Sequence, residues 1–164
     1  MNKFEFISEA QYVVDFTGVV NPVPHSDLKI PKRATKCSAG YDIYSPIDFI
    51  LKPGETIKIP TGVRVLLDEN KFLMIVPRSG LGFKYRSQLD NTVGVIDADY
   101  SNSDNEGHIW IKITNDSNPN ETADKTMFIS KGQGIAQGII LSYGLTDDDD
   151  TNGIRNGGFG STTH

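Results

Sequence analysis

Short runs of apolar and polar residues, each closed off by Gly, Pro, Asn or Asp, follow one another along nearly the whole chain. Such runs can bury one face only as pleated strands. They cover residues 3–8, 12–16, 41–44, 47–51, 55–59, 62–67 and 72–76, then 92–96, 108–115, 126–129 and 135–142. Lys52-Pro53-Gly54-Glu55 suits a turn between two of them, since Pro presets φ and Gly is free to take a positive φ. Long stripes of 3.6-residue period are missing, and the best helix candidate is residues 80–85, just after Pro77-Arg78-Ser79. The pattern predicts an all-β chain, an antiparallel sandwich or jelly roll with one short helix.

With 164 residues the chain is one domain's worth and long enough for a real core, expected over residues 1–146. From Asp147 a polar, glycine-rich stretch runs to His164 with too little apolar content to fold alone, so 147–164 reads as a flexible C-terminal arm. A net charge of −5 leaves no basic face for a nucleic-acid polymer, but it admits a single nucleotide held by a few cations and backbone amides. Cys37 is alone, which excludes an internal disulfide and a cysteine metal cluster and fits a reduced, cytoplasmic compartment. No run approaches membrane-spanning length, and the N-terminal residues lack an apolar signal segment.

Several familiar patterns fail on inspection. Gly132, Gly134 and Gly138 have the wrong spacing for a dinucleotide loop and no βαβ context. Asp148, Asp150 and Asn152 start like a calcium loop, but its twelfth position is Phe159 rather than a bidentate Glu. His25, His108 and His164 have no ligand spacing and are expected on the surface or in the tail. No G-x-S-x-G turn supports serine hydrolase chemistry.

The residues with chemical promise fall into five segments. Gly94-Val95-Ile96-Asp97-Ala98-Asp99-Tyr100 reads as a strand that a ligand can approach closely, ending in a carboxylate beside an aromatic ring. A strand-end carboxylate there can activate a water over a flat substrate. Ala39-Gly40-Tyr41-Asp42-Ile43-Tyr44 places another carboxylate early in a strand. Pro77-Arg78-Ser79-Gly80-Leu81-Gly82 offers a guanidinium, a hydroxyl and free amides, a combination suited to phosphate. Lys131-Gly132-Gln133-Gly134-Ile135-Ala136-Gln137 reads as a turn into a buried strand carrying one polar residue. Arg155-Asn156-Gly157-Gly158-Phe159-Gly160-Ser161-Thr162 combines hydroxyls and an Arg for phosphates with a Phe that can stack on a base.

In this order, from about Lys32 to Thr162, the five segments resemble the trimeric dUTP pyrophosphatase (dUTPase) family, in particular members carried by bacteriophages of Gram-positive hosts. The resemblance implies a jelly-roll barrel, a homotrimer with active sites between subunits, and hydrolysis of dUTP to dUMP and pyrophosphate. It implies Asp97 as general base for the water that attacks the α-phosphorus. Asn91 and the backbone of Gly94, Val95 and Ile96 would read uracil, with Trp110 also in the substrate-binding set. Tyr100 would pack under the deoxyribose and exclude a 2′-hydroxyl. Arg78, Ser79, Gly80 and Gln137 would hold the phosphates, and Asp42 would orient water around a Mg²⁺ bound mainly by them. From the arm, Phe159 would cover the uracil while Arg155, Ser161 and Thr162, with Gly160 among them, engage the nucleotide and its γ-phosphate.

The chain departs from the family pattern in three places. Ser101–Glu106 stands where many members have a single residue, and its acidity suggests a solvated hairpin tip. The fifth motif is one residue short, which loosens the assignment of Arg155. Residues 10–27 look like an insertion, and Pro22, Pro24 and Ser26 suggest an irregular surface loop. Two rivals follow. A deoxycytidine-triphosphate deaminase shares the fold but expects an R-S-S-type second motif and a glutamate in the third, where this chain has Gly80 and Asp97. A nucleotide-gated contact with a regulatory protein would use 10–27 and 101–106 as its surfaces.

Overall fold

Alternation decides which way each strand faces, and a fully buried Ile, Leu or Val contributes about 1.5–3 kcal/mol, so a one-residue slip is prohibitive. The computed structural model, which describes residues 1–155, follows that rule closely. Its strands are β1 (Lys3–Phe6), β2 (Lys32–Arg33), β3 (Tyr41–Tyr44), β4 (Phe49–Leu51), β5 (Thr56–Pro60) and β6 (Val63–Leu66). After them come β7 (Lys71–Pro77), β8 (Ser87–Leu89), β9 (Gly94–Asp97), β10 (Trp110–Asn115), β11 (Met127–Ile129) and β12 (Gly134–Ser142). Two α-helices accompany them, α1 (Glu9–Asp15) and α2 (Ser79–Tyr85).

All strand pairs are antiparallel. The largest sheet has the order β2-β3-β12-β7-β9, and the others are β5-β10-β8, β1-β6 and β4-β11. Together they form a jelly-roll barrel around Ile43, Ile59, Leu73, Ile96, Ile113 and Met127, all buried. Two strands were not legible in advance: β2 and β8, at two and three residues, are too short to show a period. No helix among the described residues is long and apolar enough to cross a membrane.

Three expectations are overturned. Residues 12–16 belong largely to α1 rather than to a strand, giving two short helices instead of one. Val13 and Val14 favour a strand by propensity, but Ser8 caps the helix by accepting from the Gln11 amide at 3.1 Å, and Tyr12 stacks on Phe16 one turn later at 4.0 Å. The 10–27 segment is thus partly ordered, with a further 3-10 turn at His25–Asp27. Ser101–Glu106 is no solvated tip. A 3-10 turn at Ala98–Asn102 leads into it, Ser103 is buried, and Glu106 accepts from the Ser8 amide at 2.8 Å. His108, expected on the surface, is fully buried because both ring nitrogens have partners in the interior.

Candidate active site

The first cluster is built on β9, the edge of the five-stranded sheet, which among the described residues pairs only with β7. Gly94 and Ile96 face inward, and Val95 and Asp97 face outward. A Cβ on Gly94 would lie 3.0 Å from the Ile75 Cβ, so glycine lets β9 lie close against its neighbour. Among the described residues no strand pairs with the other edge of β9. Asp97 opens the following 3-10 turn without spending its side chain on a cap. That turn swings Tyr100 into the interior, where its hydroxyl donates to the His108 carbonyl at 2.9 Å and accepts from Asn105 Nδ2 at 3.0 Å. Burial pushes the Tyr100 phenol up, outweighing the Asn105 hydrogen bond, so the ring stays a neutral donor.

Arg155 returns from the exposed chain after β12 and pairs with both acids of this turn. Its Nη2 meets Asp97, its Nε lies 2.9 Å from Asp99 Oδ1, and the guanidinium sits 5.9 Å from the centre of the Tyr100 ring. Asp97, Asp99 and Arg155 border an open cleft of about 640 Å³ with Leu66, Glu69 and Tyr143. Arg155 was expected on the γ-phosphate; here it rests on the carboxylate expected to act as base. Asp99, which had no expected role, is its second partner.

Asn91, expected to read uracil, and Trp110, expected in the substrate-binding set, lie beside β9. With Gly94 and Ile96 they border a cavity of about 20 Å³, room for a single water. On the outer face Asn91 and Trp110 also meet Lys58, Asp90 and Lys112 around a cleft of about 390 Å³. Lys58 Nζ lies 4.5 Å from the Trp110 ring, and Lys112 pairs with Asp90 at 2.8 Å. Hydrogen bonds from Lys112 and Thr114 hold the Asp90 carboxyl below its usual range.

The second cluster lies where β7 leaves the sheet. Arg78 is extended, and Ser79 and Gly80, both exposed, begin α2. Arg78 Nε meets Asp42 Oδ1 at 3.0 Å, and its Nη1 donates to the Gly134 carbonyl at 3.2 Å. A Cβ on Gly134 would stand 2.7 Å from that Nη1, so the glycine is the seat of the guanidinium. Gln137 is opposite Asp42 in the β3–β12 ladder and donates to the Pro77 carbonyl at 3.3 Å. Asp42, Arg78, Ser79, Gly80 and Gln137 are therefore brought together as expected.

The two clusters sit at opposite ends of β7. Asp97 is level with Phe72, and six residues of extended chain lead on to Arg78, about 20 Å at strand pitch. Moreover, β9 lies on one side of β7, while Arg78 reaches across β12 toward β3 on the other. Among the described residues no group of three or more His, Cys, Asp or Glu could hold a metal ion. A lone carboxylate such as Asp42 fits Mg²⁺, which keeps several waters and takes its other ligands from substrate phosphates.

Phe159, Gly160, Ser161 and Thr162 lie outside the described residues. His108 and Asn105 carry no signal in the sequence, while Gly134, within the fourth segment, is the glycine whose missing side chain leaves room for Arg78.

Comparison with known proteins agrees with this architecture. The dUTPase family profile matches residues 26–163. The deoxyuridine 5′-triphosphate nucleotidohydrolase of Lactococcus lactis is 37% identical over 147 residues, 88% of this chain and 94% of that protein. The Streptococcus mutans dUTPase structure superposes with a TM-score of 0.66 at 30% identity, covering 88% of this chain and 98% of that one. A mutant dUTPase from phage phi11 of Staphylococcus aureus, described with a structural Mg(II) ion, has a TM-score of 0.65 at 22% identity, covering 93% and 97%. With most of its length matched by the family profile and two jelly-roll clusters where the motifs fall, this chain belongs to the dUTPase family.

Proposed function

We propose that this dUTPase hydrolyses dUTP to dUMP and pyrophosphate at sites shared between the subunits of a homotrimer, lowering dUTP and supplying dUMP for thymidylate synthesis. The observation that carries the shared site is the separation of about 20 Å between Asp97 and Arg78 along β7. A general base has to stand within about 3 Å of the proton it takes, or one water away. The phosphate-holding groups must grip the same nucleotide, so they come from a neighbouring copy.

In this reading Asn91 and the open edge of β9 from Gly94 to Ile96 bind the uracil, after the small cavity beside Trp110 widens. The Tyr100 ring carries the deoxyribose. Asp97 takes the proton of a water directed in line at the α-phosphorus, once Arg155 has left its carboxylate. Arg78, Ser79, Gly80 and Gln137 of the second copy neutralise the phosphates, and Asp42 orients water on a Mg²⁺. When bound, the Mg²⁺ screens the charge of the leaving pyrophosphate. The arm from residue 147, with Arg155, Phe159, Gly160, Ser161 and Thr162, closes over the nucleotide. The reaction belongs in the cytoplasm, the host's if a phage carries the chain.

Mixing tests the shared site. Asp97→Asn and Arg78→Ala chains, each nearly inactive alone, should regain dUTP hydrolysis when denatured and refolded together, because some interfaces then unite an intact Asp97 with an intact Arg78. No recovery in mixed trimers would mean that each chain holds a whole site.

A second reading, a nucleotide-gated contact with a regulatory protein, is favoured by Val13, Val14 and Val20, all more than 60% exposed. Capture of one host protein in the absence but not the presence of dUTP, lost on Val13→Ser with Val14→Ser, would support it; capture unchanged by both would end it.

A further inference from the structure

The helix α1, which leads into the 10–27 departure, is tied to the last residue of the 101–106 departure and to His108 just beyond it. At one end of α1, Ser8 donates to Glu106 through its amide at 2.8 Å and its hydroxyl at 2.6 Å. At the other end, Asp15 Oδ2 lies 2.6 Å from His108 Nδ1. The Gly62 amide donates to His108 Nε2 at 2.8 Å, so that nitrogen carries no proton and the proton sits on Nδ1, donated to Asp15. The His108 ring packs against Phe16, just past the end of α1, with parallel planes at 6.2 Å. Between Glu106 and His108 the backbone is pinned by Asn105, whose side chain accepts from the Gly107 amide at 3.1 Å and donates to the Tyr100 hydroxyl. The same hydroxyl donates to the His108 carbonyl.

We infer that α1 is a brace for Tyr100, with Asp15 acting through His108, and Ser8 through Glu106, as positioning residues that set discrimination between deoxyribo- and ribonucleotides. The inference rests on the proposed role of Tyr100 under the sugar. A lengthened hairpin would by itself let the 98–108 turn drift, since added loop residues add conformational freedom. Three hydrogen bonds from α1 and its cap, two to Glu106 and one to His108, hold the C-terminal end of that turn, and Gln11 Nε2 steadies Asp15 at 2.8 Å. A shift of Tyr100 by a fraction of an ångström opens room for a 2′-hydroxyl. None of these residues touches the nucleotide, so their effect appears in selectivity rather than in the chemistry.

The test is the ratio of kcat/KM for dUTP to that for UTP, measured on the full chain with melting temperature alongside. Asp15→Ala should lower the ratio about fivefold, the worth of roughly one net hydrogen bond. Asp15→Asn should restore it to within about twofold, because an amide oxygen still accepts the Nδ1 proton. Ser8→Ala should lower the ratio in the same direction, and it decides the matter if Asp15→Ala does not fold. A merely structural loss shrinks the active fraction and lowers both substrates equally; an unchanged ratio would therefore overturn the brace. Tyr100→Ala separates the two ideas. If it collapses the ratio while Asp15→Ala and Ser8→Ala leave it intact, the brace is wrong and the sugar role stands. If Tyr100→Ala leaves the ratio unchanged, the sugar role fails and the brace with it.

Discussion

The two ends of β7 are prepared in opposite ways. At the Arg78 end the working charge is a cation, held by an acid and a carbonyl on regular strands, Asp42 on β3 and Gly134 on β12. At the Asp97 end it is a carboxylate, held by a cation from the exposed chain after β12 and set on a 3-10 turn that α1 secures from outside the sheet. The first end is seated by ladder geometry alone. The second is an assembly of edge strand, turn, helix and tail residue, each distant in sequence. Groups that bind a highly charged chain of phosphates profit from rigid placement. On the proposed reading Asp97 has to accept a proton only when substrate is present, and the ion pair with Arg155 would cover it until then.

The sharpest way to break this comparison is to remove the proton acceptor without touching the cations. Asp97→Asn should lower kcat for dUTP by about 10²–10⁴-fold, the usual contribution of a general base. Affinity for a non-hydrolysable dUTP analogue should hold or tighten, because Arg155 is released from its carboxylate. Rapid-quench turnover and calorimetric titration check the two halves. Turnover near the wild-type rate would remove Asp97 from the chemistry and leave the Asp97 end merely a binding surface.

A smaller effect is expected at the opposite end from a change that deletes nothing. In Gly134→Ala the new Cβ would stand 2.7 Å from Arg78 Nη1 and 3.1 Å from its Cζ, so the guanidinium has to leave its seat. Losing one charge-assisted hydrogen bond, about 1.5–3 kcal/mol, should raise KM for dUTP roughly tenfold or more, with less effect on kcat. The Arg78–Asp42 pair should also be displaced in a crystal structure of the variant. Unchanged KM would show that strand geometry does not hold the cation, and the contrast between the ends would dissolve.

What could be read in advance divides along the same line. The Arg78 end was legible because its residues lie on strands whose alternation is visible, and Pro77-Arg78-Ser79-Gly80 stands out as a strand-to-helix junction. At the other end the motif from Gly94 to Tyr100 was legible, but its supports were not. Val13-Val14 suggests a strand until Ser8 caps a helix, and nothing in the spacing of His108 announces a buried ring. The tie between α1 and the end of the 98–108 turn exists only in three dimensions, since Ser8 and Glu106 are 98 residues apart and Asp15 and His108 are 93.

The smallest effect separates the two ends by acidity. Burial pushes the His108 imidazole below its ordinary 6.5, although Asp15 and Glu106 both favour the cation. A second proton would have to sit on Nε2, pointing at the Gly62 amide that now donates to it. In the unfolded chain His108 protonates near 6.5, so below that pH the unfolded state binds the extra proton. Stability therefore falls as pH drops below about 6.5, by at most about 1.4 kcal/mol per pH unit from this group, until the folded ring also protonates. Glu106, held below its usual range by the two Ser8 hydrogen bonds, keeps its contribution until pH falls below the ordinary carboxylate range, so the two windows do not coincide. The loss should be local as well as global. At pH 5.5, protection against hydrogen exchange, taken relative to the intrinsic rate at that pH, should fall at the amides of Gly62 and His108 before it does along β12 around Gly134, and His108→Gln should flatten the dependence between pH 5 and 6.5. Equal loss of protection at both ends would mean that the Tyr100 end is no more dependent on its outside supports than the strand-held Arg78 end.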